Sequence, residues 1–318
     1  MKAAVVRDLA QAPRYEEFAL PQQGGAVVVD VLASALSPRV RSGASGQHYT
    51  SRGVFPFVPG IDGVGRLPDG RRVYFLAADD TIGTMAEKAL ADPRLSVSLP
   101  DEVGVSLIAA GMIPAMSAWV ALTKRTQLER GQRVLVIGAT GVAGRLAVQI
   151  AKHLGAGRVV AAGRDPVALD RLRDLGADDV VRLTGEKTDG DAVAAVASEV
   201  DIVVDYLWGT VTTVLMPALC RRRDAESRAL NWVLIGAMAG DEISLSSVLL
   251  RKRNLHILGS GQGAISTAEM FSVCPNIIAA FAAGKLQVQV REVPLADVEN
   301  SWSAKLPSGV RLVFVTQR

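Results

Sequence analysis

The clearest pattern of apolar and polar positions runs from Gly131 to Arg164 and reads GQRVLVIGATGVAGRLAVQIAKHLGAGRVVAAGR. It opens with an uninterrupted apolar run, Val134 to Ile137, which is typical of a parallel strand covered by helices on both faces. A repeat of apolar residues every four positions then predicts a helix: Val142, Leu146, Ile150 and Leu154. A second apolar strand, Arg158 to Ala162, completes a strand–turn–helix–strand unit.

The sequence before this unit and the sequence after it show two different patterns of predicted elements. Before Pro100 the pattern predicts short strands at Ala3–Arg7, Ala26–Ala33, Val64–Leu67, Arg72–Leu76 and Thr84–Ala91, and an apolar helix follows at Leu107–Leu122. Later strands are predicted at Asp179–Val181, Ile202–Asp205, Asn231–Ile235 and Leu255–Leu258. Helices are predicted between them at Val167–Asp174, Ala192–Ser198 and Thr210–Cys220, with none in the last connection. This alternation predicts an α/β fold with a Rossmann-type, doubly wound parallel sheet beside a β-rich domain.

The tail after Gly259 predicts one helix and two strands. The helix is expected around Ala268–Ala283, and the strands near Val288–Val293 and Leu312–Val315. We expect this tail to pack on the β-rich domain.

Three glycines, Gly138, Gly141 and Gly144, separate the first strand of the unit from its helix. Glycines in this context allow a sharp turn, close approach of a pyrophosphate, and close packing of helix on strand. The pyrophosphate then binds N–H groups at the positive end of the helix. The pattern therefore predicts a dinucleotide site, although taken alone it is also compatible with a ligand-free turn.

The end of the second strand bears on the choice of cofactor. NAD-binding proteins usually have an acidic residue about 20 residues past the glycines, but Gly163 and Arg164 stand there. An arginine suits a 2′-phosphate, so NADPH is favoured over NADH. Arg164 could instead be a solvated charge. Asp165 could reach a ribose, but we interpret it as the N-cap of the helix that Pro166 opens.

Composition, charge and cysteine content exclude several classes of protein. The 318 residues are enough for two domains, and 21% charged with 49% hydrophobic residues is ordinary for a soluble protein. A net charge of +3 gives no focused nucleic-acid footprint. Cys220 and Cys274 are the only cysteines, which excludes a disulfide framework and favours a reducing cytoplasm. No signal peptide is expected in MKAAVVRDLAQAP, and Leu107–Leu122 is too short to span a membrane.

Several stretches resemble, in order, the medium-chain dehydrogenase/reductase superfamily. They are PFVPGIDGVG at 56–65, Pro114 to Trp119, Arg130 to Gly155, Leu175 to Asp178, and Val293 to Trp302. The nearest likeness is to the zinc-independent quinone oxidoreductase and enoyl reductase branch. The resemblance implies a GroES-like catalytic domain formed by 1–115 and 261–318, a Rossmann domain at 116–260, and a site in the cleft between them.

Zinc-dependent members have a histidine and a glutamate where this chain has Ile61 and Asp62, and the Cys₄ spacing of a structural zinc lobe is absent. His153 and His256 are interpreted as structural residues. Without a Lewis acid, the preferred substrates are those that delocalise the charge created by hydride transfer, namely quinones and enones.

The resemblance places Tyr49, after Arg41-Ser42-Gly43, where related reductases have a tyrosine that faces the nicotinamide. Tyr49 is therefore the expected catalytic proton donor, with His48 as its rival. The segment Ser37-Pro38-Arg39 departs from the usual Asn-Pro, which leaves the orientation of the substrate open.

The resemblance also implies a set of cofactor-binding residues. Thr140, Gly141, Val142 and Ala143 would surround the pyrophosphate, and Ser117, Ile235, Gly236, Ser260 and Gly261 would lie near the nicotinamide. Gly163 belongs to the same cofactor-binding set. Because Leu183 replaces a tyrosine that some relatives have near the 2′-phosphate, Arg164 is the sole argument for NADPH specificity. Met116, Met238 and Trp208 could form pocket walls, or pack in the core.

The observations and the resemblance together predict a cytoplasmic oxidoreductase that transfers hydride from NADPH to a quinone or an α,β-unsaturated carbonyl, and the resemblance implies a homodimer. The dimer is expected through the edge strand Leu255–Leu258. No membrane partner is expected. An NADPH-binding protein with a structural or sensing role stays open, as does an RNA-binding role, although no aromatic and basic interleaving supports the latter.

Overall fold

The computed structural model describes residues 1–20, 25–48, 51, 54–78, 81–223 and 228–316. The chain divides into two compact units. One comprises Met1–Ile113 and Cys274–Arg318, and the other comprises Pro114–Val273.

The first unit is rich in antiparallel strands. Its N-terminal elements are β1 (Lys2–Val5), β2 (Arg14–Glu17), β3 (Val27–Leu36), α1 (Pro38–Ala44), β4 (Asp62–Arg66), β5 (Arg72–Ala77) and β6 (Lys88–Ser98). The boundary between the units lies within α2 (Val105–Val120), which continues as a π-helical turn, Ala121–Arg125.

The second unit alternates strands and helices. Its elements are β7 (Arg133–Ile137), α3 (Val142–His153), β8 (Arg158–Gly163), α4 (Pro166–Asp174), β9 (Asp179–Arg182), α5 (Asp189–Ala197), β10 (Ile202–Asp205), α6 (Gly209–Arg222), β11 (Leu230–Leu234), α7 (Ser247–Lys252), β12 (Leu255–Gly259) and α8 (Thr267–Phe271). The chain then returns to the first unit with α9 (Cys274–Ala282), β13 (Gln289–Pro294), a 3-10 turn at Leu295–Asp297, α10 (Val298–Ser301) and β14 (Val310–Val315).

The sheet of the second unit has the order β12-β11-β10-β7-β8-β9, and all its described pairings are parallel. Counted from β7, this is the 3-2-1-4-5-6 order of a dinucleotide-binding fold, which confirms the predicted doubly wound sheet. Val134 to Ile137 are fully buried, as a strand covered on both faces requires. The strand order reverses between β7 and β10.

The sheet of the first unit has the order β13-β14-β3-β4-β5-β6, and β3 also pairs with β6. Only β13 and β14 run parallel among its described pairs. This mostly antiparallel sheet confirms the predicted β-rich architecture.

The structure differs from the prediction in several details, since β2, α1 and α10 were not predicted and the strand expected at Thr84–Ala91 is β6, Lys88–Ser98. The single helix expected around Ala268–Ala283 is two helices, α8 and α9, because Pro275 has no N–H to bond back to Phe271 and its ring clashes with that carbonyl. No helix was predicted in the connection before β12, but the short helix α7 lies there. None of its six residues is buried, so the sequence has no apolar periodicity from which the helix could be predicted.

The segment Val105–Arg125 is long and apolar enough, by composition, to cross a membrane. Of its most apolar window, 78% is buried inside the protein. It is therefore a core helix, although it is longer than the predicted Leu107–Leu122 and the expectation that it is too short to span a membrane is wrong.

Candidate functional site

The turn between β7 and α3 gives each of the three glycines a different role. Gly138 has a φ of 84°, which only glycine adopts without strain. A Cβ at Gly144 would lie 2.3 Å from the Gly138 carbonyl oxygen, so the helix packs against the turn only without a side chain. A Cβ at Gly141 would meet no atom closer than the Gly138 oxygen at 3.6 Å, so this face is open.

The start of α3 is suited to bind an anion. Gly141 is the N-cap and supplies no side-chain acceptor. The first N–H groups of a helix have no partner within it and carry the positive end of its dipole. The turn is held against β8 because the N–H groups of Gly138 and Ala139 both donate to the Ala162 carbonyl at 2.9 Å. The open face and the N–H groups at the helix start together fit a pyrophosphate.

The end of β8 has no space for the acidic side chain of an NAD-binding protein. A Cβ at Gly163 would lie 2.7 Å from Cγ2 of Thr140. The next residue, Arg164, is exposed. Asp165 caps α4 and accepts a hydrogen bond from the Ala168 N–H at 3.1 Å, which confirms the predicted N-cap.

Arg145 is a second basic residue at this end of the unit, and sequence reasoning missed it. It is only 7% exposed, and its Nε donates to the Thr140 carbonyl at 3.2 Å. Burial lowers the pKa of the Arg145 guanidinium, Arg171 lowers it further, and Asp165 opposes both. An arginine among the small and apolar residues of a glycine-turn helix was the available signal.

The carboxyl ends of β10 and β11 lie beside the glycine turn. Tyr206 follows β10 directly, and a Cβ at Gly138 would lie 3.3 Å from its Cβ. A Cβ at Gly236 would lie 3.0 Å from the Tyr206 carbonyl oxygen. The N–H groups of Ile235 and Gly236 donate to the Asp205 carbonyl at 2.8 and 3.2 Å.

Ser117 contacts the same end of the sheet. Its hydroxyl donates to the Pro114 carbonyl at 2.7 Å and lies 3.3 Å from the Tyr206 hydroxyl. Tyr206 is only 8% exposed, and burial raises the pKa of its phenol. Tyr206 is the second residue that sequence reasoning missed.

All eleven cofactor-binding residues predicted from the sequence lie in the second unit: Ser117, Thr140, Gly141, Val142, Ala143, Gly163, Arg164, Ile235, Gly236, Ser260 and Gly261. Ser260 is tied to the end of β11, since its N–H donates to the Leu234 carbonyl at 2.8 Å. The roles assigned to these residues remain predictions.

The turn after β10 is organised by the buried carboxylate of Asp205. It accepts hydrogen bonds from the N–H groups of Leu207 and Trp208 at 2.8 and 3.0 Å, and from Nε1 of Trp232 at 2.9 Å. The Thr212 hydroxyl donates to the same carboxylate. Trp208 has a φ of 53°, an uncommon conformation for a bulky residue that this network holds in place.

The three suggested pocket-wall residues differ in burial. Met116 and Trp208 are buried, which agrees with core packing. Met238 is 70% exposed, so core packing is wrong for that residue.

The predicted proton donor, Tyr49, lies outside the described residues. Its rival His48 is described, and burial followed by the charge of Arg39 lowers the pKa of its imidazole. The Ser37 hydroxyl is the N-cap of α1 and accepts from the Val40 N–H at 3.1 Å.

The other two histidines contact protein side chains. The His153 ring lies 5.5 Å from that of Trp119, and Nδ1 of His256 lies 3.0 Å from Oδ1 of Asn231. Over the described ranges, no group of three or more His, Cys, Asp or Glu side chains is arranged to hold a metal ion.

The first unit contains a buried carboxyl group at Asp62. It is 5% exposed, and the Tyr74 hydroxyl donates to its Oδ2 at 3.1 Å. Burial raises the pKa of Asp62 to about 7, and the charge of Arg311 opposes that rise.

Comparisons with known proteins agree with this architecture. The zinc-binding dehydrogenase family matches residues 143–278. The "Probable NADPH-dependent quinone reductase tdiC" of Emericella nidulans is 28% identical over 333 residues, which cover 90% of each chain. The "NADPH-dependent alkenal/one oxidoreductase, chloroplastic" of Arabidopsis thaliana is 27% identical over 197 residues, which cover 57% of this chain and 50% of that protein.

Solved structures include the quinone oxidoreductase of Thermus thermophilus, which has also been determined in complex with NADPH. It aligns with a TM-score of 0.76 and 25% identity over 99% of this chain and 100% of that one. Together with the 3-2-1-4-5-6 sheet and the open glycine turn, these comparisons support the medium-chain dehydrogenase/reductase superfamily, and within it the quinone oxidoreductase branch, as the group that this chain resembles.

Proposed function

We propose that this protein reduces quinones or α,β-unsaturated carbonyl compounds, with NADPH as the hydride donor. The observation that carries the proposal is the pairing of an anion-binding helix start at Gly141 with a strand end that has no room for an acidic side chain and presents Arg164. The names of the relatives in Emericella and Arabidopsis support the same reaction.

The residues of the second unit would hold the cofactor. The N–H groups that follow Gly141 would bind the pyrophosphate, and Arg164 would bind the 2′-phosphate, with Arg145 adding positive charge nearby. NADPH, when bound, supplies the hydride. The second unit would then be the cofactor domain.

We propose that the reaction needs no zinc. Ile61 and Asp62 occupy the positions where zinc-dependent members have a histidine and a glutamate, and an isoleucine cannot ligate a metal. A quinone or enone spreads the negative charge of the reduced product over its own π-system. The protein then has only to deliver a proton, and Tyr49 is the proposed donor.

A cytoplasmic homodimer is part of the proposal. β12 is the edge strand of its sheet, and Ile257 on it is 37% exposed. Val248 and Leu250 of the neighbouring α7 are also exposed. An open strand edge beside exposed apolar side chains favours pairing with a second copy. Cys220 and Cys274 are both buried thiols and are not joined in a disulfide, which agrees with a reducing compartment.

Turnover tests the proposal. Purified protein is mixed with NADPH and either 1,2-naphthoquinone or an aliphatic enone, and the loss of the near-ultraviolet absorbance of NADPH is followed. We expect steady oxidation that depends on enzyme concentration and that is slower with NADH at equal concentration. Binding of NADPH without oxidation by any quinone, enone or enoyl thioester would instead favour a structural or sensing role.

A further inference from the structure

The hydrogen bonds of Ser117 fix the direction of its contact with Tyr206. A serine hydroxyl has one proton, and that of Ser117 is donated to the Pro114 carbonyl at 2.7 Å. In the 3.3 Å contact between the two hydroxyl groups, Tyr206 must therefore donate and Ser117 must accept. The result is a chain of donors that runs from Tyr206 through Ser117 to Pro114.

This direction leaves the Tyr206 oxygen as an acceptor. Its single proton is used, but its lone pairs are not, and no further hydrogen bond to this hydroxyl is found within the part of the chain that the structure describes. Because burial raises the pKa of the phenol, it stays neutral at physiological pH. The oxygen can therefore accept a hydrogen bond from an N–H or O–H donor, and the described residues supply none.

The position of Tyr206 indicates which donor this is. It follows β10, next to β7, where the strand order reverses. In doubly wound sheets the dinucleotide crosses this point, with the adenosine on the side of the first βαβ unit and the nicotinamide on the other. Tyr206 also lies close to the glycine turn and to the end of β11, because a Cβ added at Gly138 or at Gly236 would lie 3.3 or 3.0 Å from its Cβ or its carbonyl oxygen. It thus lies on the nicotinamide side of the pyrophosphate site.

We propose that the Tyr206 hydroxyl oxygen accepts a hydrogen bond from the carboxamide N–H of the nicotinamide, and that the Ser117–Tyr206 pair thereby fixes the orientation of the ring. The inference rests on the proposed function, because it requires a nicotinamide cofactor. It assigns Tyr206 a binding role and excludes it as the proton donor, since its own proton is held by Ser117.

The test uses a ligand that lacks the donor. In the 3-acetylpyridine analogue of NADP⁺ a methyl group replaces the amino group of the carboxamide. Dissociation constants of NADP⁺, this analogue and 2′,5′-ADP are measured by calorimetry for wild type and Tyr206→Phe. We expect Tyr206→Phe to weaken NADP⁺ binding by about 5- to 10-fold, the range for one buried hydrogen bond. Binding of the analogue and of 2′,5′-ADP should change less than about twofold, since neither offers that N–H.

Tyr74→Phe is the matched control, because it removes another buried tyrosine hydroxyl, one that contacts Asp62 in the other unit. It should leave all three affinities unchanged. If Tyr206→Phe weakens the binding of NADP⁺ and of the analogue equally, or weakens neither, the inference is overturned and the proposed function is left intact. If Tyr206→Phe does not fold, the wild-type protein is used for the test. It must bind NADP⁺ more tightly than the analogue, and equal affinities for the two ligands overturn the inference. Failure of wild type to bind any of the three would overturn the proposed function itself.

Discussion

Replacing Gly141 and Gly144 by alanine, one at a time, tests the assignment of roles in the glycine turn. Both variants add one methyl group to the same turn, three residues apart. At Gly144 the added carbon would lie 2.3 Å from the Gly138 oxygen and 2.5 Å from the Ala139 Cα, so backbone must move. At Gly141 the nearest atom would be 3.6 Å away, an ordinary contact distance.

These distances predict opposite outcomes. Overpacking against backbone should cost Gly144→Ala about 2 to 3 kcal/mol of unfolding free energy, which lowers Tm by roughly 5 to 10 °C for a unit of this size. Gly141 has φ −73° and ψ 167°, which alanine adopts freely. Gly141→Ala should therefore shift Tm by less than about 2 °C, while its methyl group occupies the open face and weakens NADP⁺ binding about tenfold or more.

Differential scanning fluorimetry measures Tm, and calorimetric titration measures the dissociation constant of NADP⁺. The reasoning is refuted if Gly141→Ala binds NADP⁺ as tightly as wild type, because the open face would then not be the pyrophosphate site. It is also refuted if Gly144→Ala is as stable as wild type.

Three other substitutions test separate parts of the structure. Arg164→Ala should weaken NADPH binding about tenfold, the value of one charge-assisted contact at an exposed residue, and change NADH binding less than twofold; equal losses in calorimetry would contradict its role at the 2′-phosphate. In Asp205→Asn the amide N–H₂ must face another donor, either the Trp232 N–H or the backbone N–H groups of the turn. The free energy of unfolding measured in urea should therefore fall by about 3 kcal/mol. A decrease below about 1 kcal/mol would show that other contacts hold the turn. Asp62→Asn should remove a pH dependence: because the folded-state pKa of about 7 lies above the ordinary 3.8, the stability contributed by the protonated carboxyl is complete below pH ~4 and is lost as pH rises through ~7. Wild type should therefore lose up to about 1.4 kcal/mol per pH unit in that window relative to the variant, and parallel curves would contradict the raised pKa.

The sequence predicted the parts of the fold that local pattern determines. The run Val134 to Ile137 is a fully buried strand, because a strand covered on both faces is apolar. Ile202–Asp205 also has the predicted bounds, with three apolar residues before Asp205. The Asp165 cap was predictable because a capping side chain and its N–H partner are three residues apart.

The residues that sequence reasoning missed depend on contacts made by folding. Tyr206 gains its importance from a hydroxyl that is 89 positions away at Ser117, and no local pattern encodes that distance. The position of Arg145 among apolar residues was a visible signal, but its role depends on the contact of its guanidinium with the Thr140 carbonyl, which only folding creates. The requirement for glycine at position 163 likewise comes from a non-local contact, because a Cβ there would clash with the side chain of Thr140 in the glycine turn.

The most direct test of the account is a comparison of the dissociation constants of NADPH and NADH for the wild-type protein, measured by calorimetry in one buffer. A 2′-phosphate held by Arg164 predicts that NADPH binds at least about tenfold more tightly. Equal affinities, tighter binding of NADH, or no binding of either would contradict the central claim that the end of β8 selects the phosphorylated cofactor.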